Sequence, residues 1–268
     1  MSDRLKSFFF AMGLCVVCSL LLTGASTTLK PAQEKNMQTD RKKNILKAVG
    51  LMDMDTPVSP DAVDRLYAER IVQLAVEKAG TIIEKSKEDN GEENGKSQPT
   101  DDGILPMYLS FDLAGDGQKE IAAYIIPITS RGLWGKIYGY LALEKDGATI
   151  KGFTVYKHSE TPGLGGEIEN RWFQENFIGK KIVDHNNQFV SVSITKGKAS
   201  DTVAKKNLPN HVDGISGATL TGQYLTKGLQ TILTEYEPLS IRFRQNILQC
   251  RMQSDAPSNV QGCENEKE

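Results

Sequence analysis

The sequence predicts an α+β fold: an N-terminal transmembrane helix, then one domain in which helices flank an antiparallel-type sheet. Residues 7–29 hold no charged side chain, and about twenty apolar residues in a helix match the hydrocarbon thickness of a bilayer. Residues 120–126, 137–143 and 150–156 are rich in β-branched and aromatic types, the composition of strands. Apolar residues at helical spacing flank them without strand–helix–strand alternation, which sets the class as α+β.

Residues 1–30 form the anchor. Arg4 and Lys6 precede the apolar run, as in signal peptides and retained anchors alike. The small residues Thr23-Gly24-Ala25-Ser26 resemble a cleavage site, but the length of the run favours a retained anchor. No cysteine follows them, so no lipoprotein box is formed. Lysines and arginines on both flanks leave the orientation open. Cys15 and Cys18 have CxxC spacing in wholly apolar surroundings with no second ligand pair, and read as small hydrophobes. Residues 31–58 are a polar juxtamembrane segment whose short basic cluster, Arg41-Lys42-Lys43, reads as a solvated helix face.

The domain spans residues 59–245. Ser59-Pro60 supplies a helix start, and Val63, Leu66, Tyr67, Ile71 and Leu74 carry an apolar stripe that predicts a helix to about residue 84. Residues 85–103 contain no large apolar side chain and read as a disordered surface insertion, with no calcium-ligand spacing among their acids. Asp116-Gly117 and Asp146-Gly147 supply turns beside the three strands. Residues 168–177 suit a short helix and 189–195 a further strand. A final helix over 219–236 turns Leu220, Tyr224, Leu225, Leu229, Ile232 and Leu233 inward, and Pro238 stops it. Residues 246–268 are a polar tail, in which Cys250 and Cys263 either pair or stay free; spacing leaves both open. Charged residues make up 25% and hydrophobic residues 39% of the chain, with a formal net charge of −2. That is an ordinary soluble-domain composition without a nucleic-acid footprint.

The informative segment is Asp213-Gly214-Ile215-Ser216-Gly217-Ala218-Thr219-Leu220-Thr221. Gly214 and Gly217 allow a tight turn, and a helix beginning near Thr219 offers unpaired amides and a positive dipole end to a phosphate. Small side chains at Ser216, Gly217 and Ala218 let a bulky group approach the backbone. Seen alone, such a loop reads as an ordinary helix cap. No lysine stands where a P-loop needs one, and no Rossmann glycine fingerprint follows a strand.

Residues 213–221 resemble the flavinylation motif of the FMN-binding domain family, in which a dedicated transferase attaches FMN to a threonine through a phosphoester bond. Two upstream blocks narrow the resemblance. Arg131-Gly132-Leu133-Trp134-Gly135 with Tyr138-Gly139-Tyr140-Leu141 is similar to the first signature block of the C-subunit family of sodium-translocating NADH:quinone reductases. His158-Ser159-Glu160-Thr161-Pro162-Gly163-Leu164-Gly165-Gly166-Glu167 is similar to the second, and Lys42-Lys43-Asn44-Ile45-Leu46 also fits. The resemblance covers nearly all the chain, excepting 85–103 and the tail after about Asn246.

The resemblance implies an exported FMN-binding domain with Thr219 as the covalent acceptor and Thr221 as runner-up. Asp213 and Ser216 shape the loop and bind phosphate or ribityl hydroxyls, with Gly217, Ala218 and Leu220 beside them. The loop of Glu160, Thr161, Gly163, Leu164 and Gly165 approaches the isoalloxazine, or else is a tight turn without a ligand. Trp134 stacks near the ring or lies in the core. His158 and His211 are titratable groups near the flavin, each read first as structural. The flavin carries the chemistry, so no catalytic acid, base, nucleophile or metal ligand is expected.

The implied function is electron relay in a multi-subunit membrane complex that couples NADH oxidation and quinone reduction to sodium export. Its expected partners are the other subunits, the membrane, and the flavin transferase during maturation. The soluble domain is expected on the periplasmic side of the cell inner membrane. A ferredoxin-linked ion-pump subunit and a stand-alone exported flavin carrier are the alternatives.

Overall fold

The computed structural model describes residues 3–53, 56–77, 79–83, 103–113, 119–245 and 251–252. Nearly all of the expected insertion at 85–103, the Asp116-Gly117 turn, and Cys250 and Cys263 lie outside the described residues. The chain divides into two units, residues 1–41 and 42–268.

The first unit is helical and belongs to α1 (Asp3–Ala48). Its most apolar stretch has a mean hydropathy of 2.2, and the helix is long and apolar enough to cross a membrane. No break separates the expected anchor from the expected juxtamembrane segment, since α1 continues through Pro31. A single proline removes one i→i−4 bond, and the Ala, Gln, Glu and Lys residues that follow are strong helix formers.

The second unit opens with the last turns of α1 and with α2 (Pro60–Arg70). Ser59 caps α2 by accepting from the Ala62 amide at 3.4 Å, with Pro60 inside the first turn. The expected helix to residue 84 ends instead at Arg70. Ile71 begins β1 (Ile71–Val76), which pairs antiparallel with β2 (Ile82–Ile83) and β3 (Leu105–Leu113). Ile71 and Leu74 fit a helical stripe by spacing. Ile71, Val72 and Val76 are β-branched, however, and pairing with β3 overrides the helical period.

The three predicted strands are present and longer than expected: β4 (Lys119–Arg131), β5 (Lys136–Glu144) and β6 (Ile150–Lys157). The order is β2-β1-β3-β4-β5-β6, with antiparallel neighbours throughout. The expected helix over 168–177 is split at Asn170 into a 3-10 turn (Gly165–Glu169) and α3 (Arg171–Glu175). The strand expected over 189–195 shortens to β7 (Ser193–Ile194), since Ser191 adopts a positive φ of 64° that ends extended backbone before it. Next come α4 (Ala199–Thr202), a 3-10 turn (Lys205–Asn210), β8 (His211–Val212) parallel to β7, and α5 (Thr219–Arg244). A short β9 (Arg251–Met252) pairs with β4.

Both faces of the sheet are buried. Met107, Leu109, Tyr124, Ile126, Ile128, Leu141 and Leu143 face a large core shared with α5. The alternate residues Tyr108, Ala123, Ile125, Tyr140 and Ala142 face a smaller core closed by Ile45, Leu46 and Val49 of the segment ending α1 and by Val63 of α2. This period-two division is what a sheet sandwiched between helices requires.

Pro238 does not stop α5, which runs on to Arg244. Tyr236, Leu239, Ser240 and Phe243 are buried beyond or beside it. The Tyr124 hydroxyl donates to Ser240 Oγ at 2.9 Å while its ring stacks on Phe243 with centroids 4.4 Å apart. Burial pushes the Tyr124 hydroxyl far above its usual range, keeping it a donor. Those contacts outweigh one missing backbone bond. Leu220, expected inward, is instead exposed.

The Asp146-Gly147 turn joins β5 to β6 as expected: Gly147, at φ +64°, donates to the Glu144 carbonyl at 3.0 Å. Burial opposes the charge on Asp146. Donors from Thr149 Oγ1 (2.5 Å), Thr149 N (2.8 Å) and Ala148 N (2.9 Å), with Lys181 nearby, outweigh that and hold its carboxyl below the usual range. A depressed folded pKa contributes stability that is present above the unfolded value of about 3.9 and lost as pH falls through the folded value. Asp146→Asn is therefore expected to be less stable than the parent in urea at pH 7 and to converge with it as pH falls through the depressed folded value. A gap that persists in acid would contradict the assignment.

Candidate functional site

Three segments distant in sequence meet at the start of α5. The first is the β4–β5 turn, closed by Gly132 N donating to Gly135 O at 2.6 Å. The second is the loop after β6. Leu164 N donates to the Thr161 carbonyl at 3.1 Å and Gly166 N to the same oxygen at 2.9 Å. With Pro162 second and Gly163 third at φ +73°, this is the residue pattern of a type II turn. The third is the motif loop, where Gly217 at φ +75° precedes the first turn of α5.

Glu160 joins the three. Its side chain is buried, at 5% exposure. Oε1 accepts from the Trp134 amide at 2.9 Å, and Oε2 accepts from Thr221 Oγ1 at 2.5 Å. A buried carboxylate requires such donors. Two glycines make the approach possible: a Cβ on Gly132 would lie 2.5 Å from Glu160 Oε1, and one on Gly165 would lie 2.5 Å from Thr221 Oγ1. The Glu160 amide donates to His158 Nδ1 at 3.1 Å, so the ring proton resides on Nε2, which donates to Glu169 Oε2 at 3.0 Å. His158 is thus a satisfied structural histidine. So is His211, whose Nδ1 donates to the Asn207 carbonyl at 2.8 Å.

The two candidate acceptors differ. Thr221 is 1% exposed and its hydroxyl is committed to Glu160. Thr219 is half-buried, and among the described residues its hydroxyl makes no hydrogen bond. It opens α5, whose N-cap residue Ala218 supplies no side-chain bond to the first amides, an arrangement suited to an anion. Ser216 is exposed beside it. Asp213 turns to the Ala199 amide, from which it accepts at 2.7 Å, and so holds α4 to the loop. Gly214 serves close packing, because a Cβ there would lie 1.9 Å from the Thr195 carbonyl oxygen; the tight turn belongs to Gly217.

Around this opening lie exposed apolar side chains. Trp134 is 70% exposed, which excludes its reading as a core residue, and Leu133, Leu164 and Leu220 are exposed as well. Leu164 reaches the motif loop, since a Cβ on Gly217 would meet its Cδ2 at 2.8 Å. Exposed apolar surface beside an open helix start suits a planar aromatic group carried on a phosphate. Thr161 and Gly163 stay exposed on the turn, while Gly165 and Ala218 are buried beneath it. Leu133 and the glycine contacts with Glu160 escape sequence reasoning; the placing of Gly132 and Gly165 within two signature blocks is the one signal that points to them.

The site is held from below. Ser130 Oγ donates to the Tyr224 carbonyl at 3.2 Å, and the Arg131 guanidinium lies 5.2 Å from the Tyr224 ring centroid. Gly228 lets β4 and α5 touch there, since a Cβ would lie 2.5 Å from that of Ser130. Thr226 Oγ1 accepts from the Ile194 amide at 2.9 Å, tying β7 to the same helix. A cavity of about 460 Å³ lined by Asp146, Lys181, Lys206 and Arg244 shares no residue with this site.

The family described as FMN-binding domain matches residues 132–234, which include all three segments. The C subunit of the Na(+)-translocating NADH-quinone reductase of Haemophilus ducreyi is 35% identical over 221 residues, 78% of this chain and 82% of its own length. The corresponding protein of Neisseria meningitidis serogroup A is 36% identical over 232 residues, 82% of this chain and 84% of its own. The crystal structure of the C subunit from Parabacteroides distasonis superposes with a TM-score of 0.61 at 27% identity, covering 79% of this chain and 96% of that one. NqrC of Shewanella oneidensis shares the fold, with a TM-score of 0.62 at 22% identity. The protein is a flavin-domain protein with a helical N-terminal segment long and apolar enough to span a bilayer. The chain belongs to the C-subunit family of the sodium-translocating NADH-quinone reductase.

Gly165→Ala is expected to cost about 1–3 kcal/mol of stability, because the new methyl strikes both partners of the Glu160–Thr221 bond. Gly163→Ala meets no atom within 4 Å and bears only its positive φ, about 1 kcal/mol. Urea unfolding of the two variants should show the larger loss at Gly165; equal losses would contradict the contact.

Proposed function

We propose that the chain carries FMN as a phosphoester on Thr219 and relays electrons within a complex that oxidises NADH, reduces quinone and exports sodium. The observation that carries the acceptor assignment is the contrast between the two threonines: among the described residues the Thr219 hydroxyl, at the open start of α5, makes no hydrogen bond, whereas the Thr221 hydroxyl is buried and bound to Glu160. In attachment, the Thr219 oxygen forms the new P–O bond as the bond from that phosphorus to the donor's leaving group breaks, and the hydroxyl proton departs to the transferase. The first amides of α5 and its dipole then hold the phosphate charge. Trp134, Leu164 and Leu220 offer the isoalloxazine an apolar seat, and Ser216 a hydroxyl within reach of the phosphate or ribityl chain.

FMN supplies a centre that takes up and gives back electrons, and the protein holds it in place and sets its surroundings. Family membership favours the NADH-linked complex over a ferredoxin-linked pump or a stand-alone carrier. Residues 1–30 anchor the chain in the inner membrane, residues 31–58 lead out of it, and the 59–245 domain works on the periplasmic side, ahead of the polar tail at 246–268. The N-terminal helix supports the anchor.

Co-expression with a flavin transferase followed by denaturing electrophoresis tests the reading. The parent should fluoresce under ultraviolet light after denaturation, and Thr219→Val should not, while losing about 1 kcal/mol or less of stability. Thr221→Val should retain flavin yet unfold more easily by about 1–2 kcal/mol, because it strips a donor from a buried carboxylate. Fluorescence that survives Thr219→Val and vanishes with Thr221→Val would move the acceptor two residues along.

A further inference from the structure

We infer that Glu160 is the residue of this chain that sets the reduction potential of the flavin, holding it low through a buried charge that no cationic side chain pairs. The inference rests on the reading that Thr219 carries the flavin, and deepens it. Both oxygens of Glu160 accept hydrogen bonds, one from the Trp134 amide and one from Thr221, which is the pattern of the ionised form. Both donors are neutral. Among the described residues no lysine, arginine or histidine forms an ion pair with Glu160. The neighbouring His158 presents its unprotonated nitrogen to the Glu160 amide and turns its N–H away to Glu169.

The charge also stands where it can act. Glu160 is one hydrogen bond from the backbone of Trp134 and one from Thr221, two residues along the helix from Thr219. It is screened from water by burial, so its field is damped far less than that of a surface carboxylate. Adding an electron to a group in that field is opposed by the charge already present. Protein dipoles at the start of α5 act in the opposite sense, but they amount to a partial charge and leave the full charge of Glu160 dominant there.

This role differs from the mechanical one. Thr221→Val removes the hydrogen bond and keeps the charge. Glu160→Gln removes the charge and keeps an acceptor oxygen for Trp134, with an amide that can engage Thr221. Full-length chain flavinylated by its transferase, held in detergent, is titrated against a redox dye of known potential, and the ratio of reduced to oxidised flavin is read from absorbance. At a fixed potential Glu160→Gln should raise that ratio about tenfold, the order expected of one charge acting through protein. Glu160→Asp and Thr221→Val should stay within a few-fold of the parent.

An unchanged or lowered ratio in a flavinylated Glu160→Gln protein would overturn the inference and leave the acceptor reading intact. A parent that carries no flavin, or carries it away from Thr219 by peptide mass, would remove both. A second measurement needs no variant. Infrared difference spectra of the parent, with 13C-labelled glutamate, should show a carboxylate band that shifts when the flavin is reduced. Absence of any labelled band would overturn the inference even if Glu160→Gln fails to fold.

Discussion

A buried carboxylate with two neutral donors organises the functional end of this protein. Glu160 cannot leave water without partners, and the partners it finds come from different elements: a backbone amide of the β4–β5 turn and a hydroxyl in the first turn of α5. Each constrains the chain further. The turn must bring Trp134 N within 2.9 Å, which requires Gly132 against Oε1, and the helix must bring Thr221 within reach, which requires Gly165 between them. Exposed Trp134 and the half-buried Thr219 stand where they do because of atoms beneath them.

The rest of the domain keeps that junction rigid. α5 lies along the large core, with Leu225, Leu229, Ile232, Leu233 and Tyr236 buried against the sheet. Near the site it is tied to β4 through Ser130 and Gly228, and farther along through Tyr124 and Ser240. The buried Tyr236 hydroxyl donates to the Pro106 carbonyl of β3. A site mounted on a helix fixed at several points along its length keeps its geometry better than one on free loops. In an electron carrier that favours a constant flavin environment between oxidation states.

Much of this is legible in sequence, and the misses have physical causes. Strands β4, β5 and β6 stand out through β-branched and aromatic runs, whereas β3, which lies between β1 and β4, does not, and the helix start at Ser59-Pro60 stands out through its cap. The motif at 213–221 stands out through its resemblance to a family motif, since the loop alone reads as an ordinary helix cap. The end of α2 is hidden because Ile71 and Leu74 satisfy both helical and strand spacing, and only pairing with β3 decides between them. Pro238 reads as a stop because local rules cannot weigh the packing of Leu239, Ser240 and Phe243 beyond it. Trp134 stays open between core and surface, since its type suits either. The Glu160–Thr221 bond joins residues 61 apart, and no local pattern announces a pairing of that range.

The claim on which the account depends is that Glu160 assembles the site before any flavin arrives. Amide hydrogen exchange on the full-length chain, without and with attached flavin, measures this at the Trp134 amide. The account predicts slow exchange in both forms, although the side chain above that amide is exposed, and fast exchange at the same amide when Glu160 is replaced by alanine. An amide that exchanges freely without flavin and becomes protected only after attachment would mean that the flavin builds the site, and would contradict the account.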